Sequence, residues 1–224
     1  MFEVEKNTAS EWFSALRDQI ISAFVELEQS HQSGAGSQTP AGVFEVTETR
    51  RRSEDGSDAG GGVMSVMRDG RLFEKVGVNV STVHGYLAAS AQAAMAARKE
   101  LPGMKDDPRF WASGISLVAH MQNPHCPAVH MNTRMFWTPH GWWFGGGSDL
   151  NPCLEYDEDT AHFHATQARF LAPHGAELYP RLKKWADDYF YIPHRKRARG
   201  VGGIFMDDHC SGNWNADFAL TQDI

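Results

Sequence analysis

Apolar residues near the start of the chain recur at the three- and four-residue spacing of an amphipathic helix. The positions that share this face are Trp12, Phe13, Leu16, Ile20, Phe24 and Leu27. Ser10 precedes them, and its side chain can accept the first free N–H groups of a helix. We therefore predict a helix over residues 10–30 with Ser10 as its N-cap, followed by a loop in the Ser-, Gly- and Gln-rich stretch from His31 to Gly42.

Short stretches in which apolar and polar residues alternate come next, and this pattern is typical of β-strands. We expect extended chain over residues 43–49, 63–68, 72–76 and 78–83. The polar, glycine-rich segment 50–62 predicts a loop, and Asp69-Gly70 is a strong two-residue hairpin signal between the second and third of these strands. The alanine-rich stretch from Leu87 to Lys99 predicts a helix by propensity.

The second half of the chain predicts several adjacent strands followed by helices. The strands cover residues 115–121, 129–137, 142–146 and 200–206, and the helices cover residues 157–171 and 178–192. Asp157 is a candidate N-cap for the first of these helices, and Pro193 ends the second. This order indicates an α+β fold with a large, mostly antiparallel β-sheet flanked by α-helices on both sides. A length of 224 residues fits one domain, residues 1–224.

Polar side chains fall on one face of the two central strands. Because alternate residues of a strand point to opposite faces, Ser116 and His120 share a face of the first strand. His130, Asn132 and Arg134 share a face of the second. If these strands pair as a hairpin, all five side chains converge on one patch. The alternative is a solvated sheet face, which antiparallel sheets commonly have, but the aromatic third strand argues against a wet surface.

Histidines are concentrated in the same region, since eight of the eleven lie between His120 and His194. Four neutral imidazoles can bind a divalent transition metal, but the spacing matches no recognised ligand motif, so the pattern indicates a metal site only weakly. Of His162 and His164, which are two apart on a predicted helix, we choose His164 as the one that faces the patch. The basic run 194–199 is typical of a solvated loop.

Three consecutive glycines, Gly145 to Gly147, come after the aromatic residues of the third strand. They allow a ligand to approach the backbone closely, and Asp149 just beyond them can present a carboxylate to it. A turn aspartate that caps its own backbone is an equally good interpretation. The pattern matches neither GxGxxG nor a Walker loop, so nucleotide binding is not supported.

Composition narrows the class of protein. Hydrophobic residues make up 42% of the chain and charged residues 22%, which is ordinary for a soluble globular protein. A formal net charge of -7 argues against nucleic acid as the main partner. The three cysteines show no CxxC spacing, and the N-terminus lacks the apolar stretch of a secretory signal. No window reaches the roughly 18 apolar residues of a membrane span, so we expect a cytoplasmic protein.

Several long motifs resemble the oxygen-dependent coproporphyrinogen-III oxidases. They are Glu74–Ser81, Gly114–His120, Pro127–Phe136, Trp142–Pro152, Tyr179–Trp185, Tyr189–Tyr191 and Arg199–Asp208. The resemblance implies oxidative decarboxylation of two propionate side chains of coproporphyrinogen III to vinyl groups, with O2 as the oxidant. The product would be protoporphyrinogen IX, in haem biosynthesis. The resemblance also implies a large antiparallel sheet flanked by helices, and a homodimer.

The resemblance implies roles for particular residues as well. The substrate contacts would be Ser116, Asn132, Thr133 and Arg134. His130 would be the proton donor, and Asp149 would face the pyrrole nitrogens. A divalent metal cation such as manganese would be held by His120, His130, His164 and His194, although many members of the family are described as needing no metal. A substrate with four carboxylates around an apolar macrocycle suits an arginine beside aromatic and glycine surfaces.

The family normally continues well beyond the Asp207-Asp208 motif. We therefore expect a chain that lacks the family's C-terminal portion. That portion contains a glycine-glycine-arginine substrate segment and much of the dimer contact. The main alternative function is a non-catalytic tetrapyrrole-binding protein. A third is a metal-dependent oxygenase or hydrolase that uses the histidines directly, although it lacks a standard ligand pattern.

Overall fold

The structure, a computed structural model, describes residues 2–97 and 101–224. The strands are β1 (Phe44–Arg52), β2 (Asp58–Arg68), β3 (Phe73–Tyr86), β4 (Arg109–Met121), β5 (Ala128–Thr138), β6 (Gly141–Asn151), β7 (Tyr191–Ile192), β8 (Arg197–Ala198) and β9 (Gly203–His209). The helices are α1 (Glu3–Ser30), α2 (Ala89–Ala96), α3 (Asp157–Leu171), α4 (Leu178–Tyr189) and α5 (Trp214–Gln222).

One seven-stranded sheet organises the chain, with strand order β1-β2-β3-β4-β5-β6-β9, and β7 and β8 form a separate small hairpin. Every neighbouring pair in the large sheet is antiparallel. Strands β1 to β6 lie in sequence order, and short connections join all of them except β3 and β4, between which the chain contains α2. The predicted α+β fold with a large antiparallel sheet is therefore confirmed.

One face of the sheet is the hydrophobic core. Helix α1 packs against β3 and β4 on this face, and Phe13 of α1 is fully buried. The ring of Phe24 contacts Phe73 at 4.9 Å between centroids. Burial of these apolar side chains supplies the main stabilisation of the helix on the sheet. On the other face, α4 packs against β9, so helices lie on both sides.

A buried carboxylate fixes the end of α1 to the β2–β3 turn. Glu28 is fully buried and accepts hydrogen bonds from the backbone N–H groups of Gly42, Arg71, Leu72 and Phe73, at 2.7 to 3.0 Å. Burial raises the pKa of the Glu28 carboxyl, but the four N–H donors outweigh it and hold the pKa below its usual range. The carboxylate therefore joins two elements that are far apart in the sequence.

Some predicted boundaries are wrong. Helix α1 begins at Glu3, and its N-cap position is Phe2 rather than Ser10, because Lys6 and Ala9 already pack as buried residues of the first turns. Helix α4 ends at Tyr189, since the next residues pair with β8 instead of continuing the helix. The predicted helix from Leu87 to Lys99 is present as the shorter α2, and its last two predicted residues, Arg98 and Lys99, lie outside the described residues.

The predicted loop over residues 50–62 is largely strand. Strand β1 continues to Arg52 and β2 starts at Asp58, so the three glycines 60–62 lie inside β2. A Cβ atom on Gly61 would lie 2.1 Å from the Thr49 carbonyl oxygen, which shows that these glycines permit close strand contact. The β2–β3 hairpin is confirmed, with Asp69 at φ 53° in the turn.

Helix α5 was not predicted. It follows β9 and buries Phe218 and Leu220, and Asn213 caps it by accepting from the Ala216 N–H at 3.2 Å. No helix in the described part of the chain is both long enough and apolar enough to cross a membrane.

Candidate active site

The polar patch predicted on the sheet face is present. Strands β4 and β5 form the expected hairpin, in which Ser116 lies opposite Asn132 and Val118 opposite His130. On the other side of β5, Asp149 of β6 lies opposite His130. We call this side of the sheet the cleft face.

A cleft of about 370 Å³ lies on this face. Its lining includes Ser116, His130, Asn132, Arg134, Asp149 and Arg199. The aromatic wall of the cleft is formed by α4 and the residue after it, where the Tyr189 ring stacks on Phe205 of β9 at 4.1 Å between centroids. A second hollow of about 230 Å³ shares Ser116, Asn132 and Arg134 and extends the surface towards β3. The face therefore combines aromatic, glycine and charged surfaces.

The glycine run lies wholly inside β6, because this strand continues past the predicted end at residue 146 to Asn151. Gly147 is opposite Asn132 and Gly145 is opposite Arg134, both on the cleft face. A Cβ on Gly147 would lie 2.4 Å from the Ile204 carbonyl oxygen, and one on Gly145 would lie 2.8 Å from Asp207 Oδ1. The absence of side chains thus allows β9 to approach β6 and gives room to the arginine beside it.

Asp149 is a buried carboxylate with a charged partner. Its side chain is only 4% exposed. Arg199 donates from Nε to Asp149 Oδ2 at 2.9 Å, and its second nitrogen lies 2.8 Å from the same oxygen. Asn151 Nδ2 also donates to Oδ2, at 2.8 Å. The alternative of a turn aspartate that caps its own backbone is wrong, because Asp149 lies within a strand and takes side-chain donors.

The hydrogen-bond network favours one tautomer of the neutral His130 ring. Asn151 Nδ2 lies 3.1 Å from His130 Nδ1. Since an amide nitrogen only donates, Nδ1 accepts, and the proton of the neutral ring is on Nε2. The His130 side chain is 31% exposed, and Asp149 Oδ1 lies 3.5 Å from Nδ1. The contact with Asn151 therefore favours the His130 tautomer that carries its proton on Nε2.

Arg134 lies at the opposite end of the polar patch from His130 and Asp149. It donates to Asp207 Oδ1 at 2.9 Å and to Asn132 Oδ1 at 3.2 Å. These two contacts use only part of the five N–H donors of a guanidinium. Its side chain is 39% exposed, so a ligand carboxylate can reach the remaining donors.

Thr133 differs from the residues on either side of it. It is buried and pairs with Ile115 and Gly146, which places its side chain on the core face. Of the segment 132–134, only Asn132 and Arg134 present side chains to the cleft.

The four histidines implied as metal ligands do not form one ligand set. The rings of His120 and His130 are neighbours, with centroids 6.0 Å apart. His164 Nε2 instead bonds to the Val201 carbonyl at 3.0 Å, and its buried Nδ1 has no partner in the described part of the chain. His194 is exposed on the turn between β7 and β8. Among residues 2–97 and 101–224, no group of three or more His, Cys, Asp or Glu side chains is arranged to hold a metal ion.

Three residues of the site were missed in the sequence. Arg199 was included in a run typical of solvated loops, yet it contacts the buried Asp149. Asn151 and Asp207 are not among the candidate site residues that the sequence predicts. Strand alternation was a usable signal for Asn151, because it lies two residues after Asp149 and must share its face. Arg199 had no comparable signal, since its contact spans 50 positions of sequence.

The cleft on the face of the antiparallel sheet brings together a histidine, a buried aspartate and two arginines, a set of polar groups that is typical of an enzyme. The family model described as coproporphyrinogen III oxidase matches residues 8–224. The chain therefore belongs to the coproporphyrinogen III oxidase family, whose members are oxidoreductases.

Individual relatives agree with this assignment. The oxygen-dependent coproporphyrinogen-III oxidase of Rickettsia bellii (strain RML369-C) is 43% identical over 224 residues, which is 100% of this chain and 75% of the relative. The enzyme of the same name from Rickettsia africae (strain ESF-5) is 42% identical over 219 residues, 98% of this chain and 73% of the relative. The chain thus spans about three quarters of the length of these relatives.

Proposed function

We propose that this chain is an oxygen-dependent coproporphyrinogen-III oxidase. It converts two propionate side chains of coproporphyrinogen III to vinyl groups and yields protoporphyrinogen IX. For each propionic acid group, O2 accepts two electrons and two protons, so that one vinyl group, one CO2 and one H2O2 form. Membership of the family supports this reaction. The observation that carries it is the buried Asp149, placed between His130 and Arg199 on the floor of the cleft.

Polar and apolar groups along the cleft face bind the substrate. Arg134 offers free N–H donors to a propionate, and Asp207 holds its guanidinium in position. Ser116 and Asn132 lie between the two ends and offer a hydroxyl and an amide. Gly147 of β6 and the rings of Tyr189 and Phe190 provide a surface for the apolar macrocycle.

The chemistry rests on Asp149 and His130. Arg199 and Asn151 bond to Oδ2 of Asp149, which leaves Oδ1 for a pyrrole N–H of the substrate. A carboxylate at this position stabilises positive charge on the ring, or accepts a proton from it, and makes the ring electron-rich enough to react with O2. His130 donates its Nε2 proton to the oxygen species that is reduced.

No step of this proposal uses a metal ion, because the four candidate histidines do not converge. We expect turnover to remain within twofold of its initial value after dialysis against EDTA. If EDTA abolished turnover and added manganese restored it, the candidate histidines would form a metal site after all.

The test of the reaction is incubation of the purified chain with coproporphyrinogen III in air and under nitrogen. After oxidation of the mixture, chromatography separates the porphyrins. The proposal predicts protoporphyrin in air only. Tight binding of the tetrapyrrole without product in air would instead identify a non-catalytic binding protein.

We also propose that the chain forms one domain, assembles as a homodimer and acts in the cytoplasm, as the resemblance and the composition imply. Light scattering coupled to size-exclusion chromatography tests the dimer, for which twice the chain mass of 25.0 kDa is expected.

A further inference from the structure

The β7–β8 hairpin extends directly from the wall of the cleft. At its base the Arg199 N–H donates to the Phe190 carbonyl oxygen at 3.2 Å, and both residues line the cleft. The Arg199 guanidinium carbon lies 4.0 Å from the centre of the Phe190 ring, and Nε reaches Asp149. This side of the hairpin base therefore faces the cleft.

Arg197 lies on the same side of the hairpin, one step further out. Tyr191–Ala198 and Ile192–Arg197 are the paired residues of the hairpin, and the hydrogen bond from the Arg199 N–H to the Phe190 carbonyl lies directly before them, at the hairpin base. Side chains two residues apart on a ladder share a face, so Arg197 follows Arg199 along the side that faces the cleft, while Ala198 points away.

The charge of Arg197 is not neutralised within the protein. Arg199 and Arg134 each form an ion pair with an aspartate. Arg197 is exposed, and among the described residues no carboxylate forms an ion pair with it. Its neighbours Arg195 and Lys196 are also exposed. The tip of the hairpin therefore carries three positive charges on a chain whose formal net charge is -7.

We propose that Arg197 is an outer carboxylate-binding residue of the cleft. Its guanidinium binds a substrate propionate at the cleft mouth, while Arg134 binds another at the opposite end of the patch. Arg134 and His130 are four residues apart on β5, about 13 Å. A macrocycle that extends over this distance with one propionate on Arg134 directs other propionates towards the hairpin. Arg195 and Lys196 add positive potential that attracts a tetra-anion to a negatively charged molecule. This inference rests on the proposed function.

The first test measures binding without turnover. The probe is coproporphyrin III, the fully oxidised relative of the substrate, which retains the four carboxylates, and its binding is followed by fluorescence in 0.1 M salt. We expect Arg197→Gln to raise Kd about fivefold, the upper range for one exposed ion pair. The effect should nearly vanish in 1 M salt, where the Debye length is about 3 Å, and Arg197→Lys should retain part of the affinity.

The matched control is Arg51→Gln, which removes the same charge from β1. This strand lies five strand spacings from β6, about 24 Å. In 0.1 M salt the Debye length is about 10 Å, so Kd should change by less than twofold. In turnover, Arg197→Gln should raise KM for coproporphyrinogen III about fivefold and leave kcat within twofold.

Each outcome separates this inference from the proposed function. Equal binding by wild type and Arg197→Gln, with an active wild type, overturns the role of Arg197 alone. Equal weakening by both variants also overturns it, since only net charge would then matter. A wild-type chain that neither binds coproporphyrin III nor converts the substrate overturns the proposed function and this inference together.

Discussion

At the scale of single residues, the site depends on side chains that form hydrogen bonds with one another. Asp149 and Asn151 share a face of β6, and Asn151 donates both to Asp149 and to His130. The positions of His130, Asn132 and Arg134 on one face were predictable, because strand alternation is a local property. The contact of Arg199 with Asp149 was not, because no local pattern relates residues 50 positions apart.

Substitution of Asn151 tests whether this network matters for catalysis. Asn151→Ala removes the donor to His130 Nδ1, so the ring can adopt the other tautomer and no longer holds its proton on Nε2. We expect kcat to fall about tenfold, which corresponds to about 1.4 kcal/mol, the upper range for one hydrogen bond between neutral groups. The control is Asn215→Ala on the exposed side of α5. Equal kcat values for the two variants would show that Asn151 has no positioning role.

At the scale of elements, glycines account for the clearest errors of the sequence analysis. Both glycine triplets, 60–62 and 145–147, lie within strands. Glycine is disfavoured in strands on average, so the sequence predicts a loop at 60–62 and ends the third central strand too early, at residue 146. The structure shows the opposing physical reason, which is that neighbouring backbones approach too closely for a Cβ at Gly61 and Gly147.

Alanine at two glycines of the cleft face should have different effects. Gly147→Ala places a Cβ 2.4 Å from the Ile204 carbonyl oxygen and must displace β9, whereas a Cβ on Gly77 meets only the Asn79 amide at 3.6 Å. We expect Gly147→Ala to lower the free energy of unfolding by about 1–3 kcal/mol, and Gly77→Ala to change it much less. Urea denaturation of both variants measures the difference, and equal stabilities would contradict the strand geometry.

The attachment of α1 to the β2–β3 turn should depend on pH. Because the folded-state pKa of Glu28 is lowered, its carboxylate stabilises the fold above the unfolded pKa. This contribution is lost as the pH falls below the ordinary 4.5 and through the folded value. Glu28→Gln should lower the free energy of unfolding by about 2 kcal/mol at pH 7, and the deficit should shrink in acid. Glu26→Gln, on the exposed face of α1, is the control; a deficit independent of pH would contradict the account.

At the scale of the whole molecule, the fold class and the pairing of the central hairpin followed from the sequence, but the assembly of the cleft did not. The sheet order brings β9 beside β6, and α4 then covers Phe205 and supplies the aromatic wall. Strand β9 and helix α4 therefore complete a surface begun by β4 and β5. The same long-range packing directs His164 to a backbone carbonyl instead of towards His120 and His130.

The central claim is that coproporphyrinogen III reacts over Asp149 on the cleft face. Its most direct test is the aerobic turnover of Asp149→Asn, compared with wild type and with Asp188→Asn, which alters an exposed aspartate of α4. The circular dichroism and thermal unfolding of each variant establish that it is folded. The account predicts that kcat falls at least about 100-fold for Asp149→Asn and remains unchanged for Asp188→Asn. Full turnover by a folded Asp149→Asn protein would contradict it.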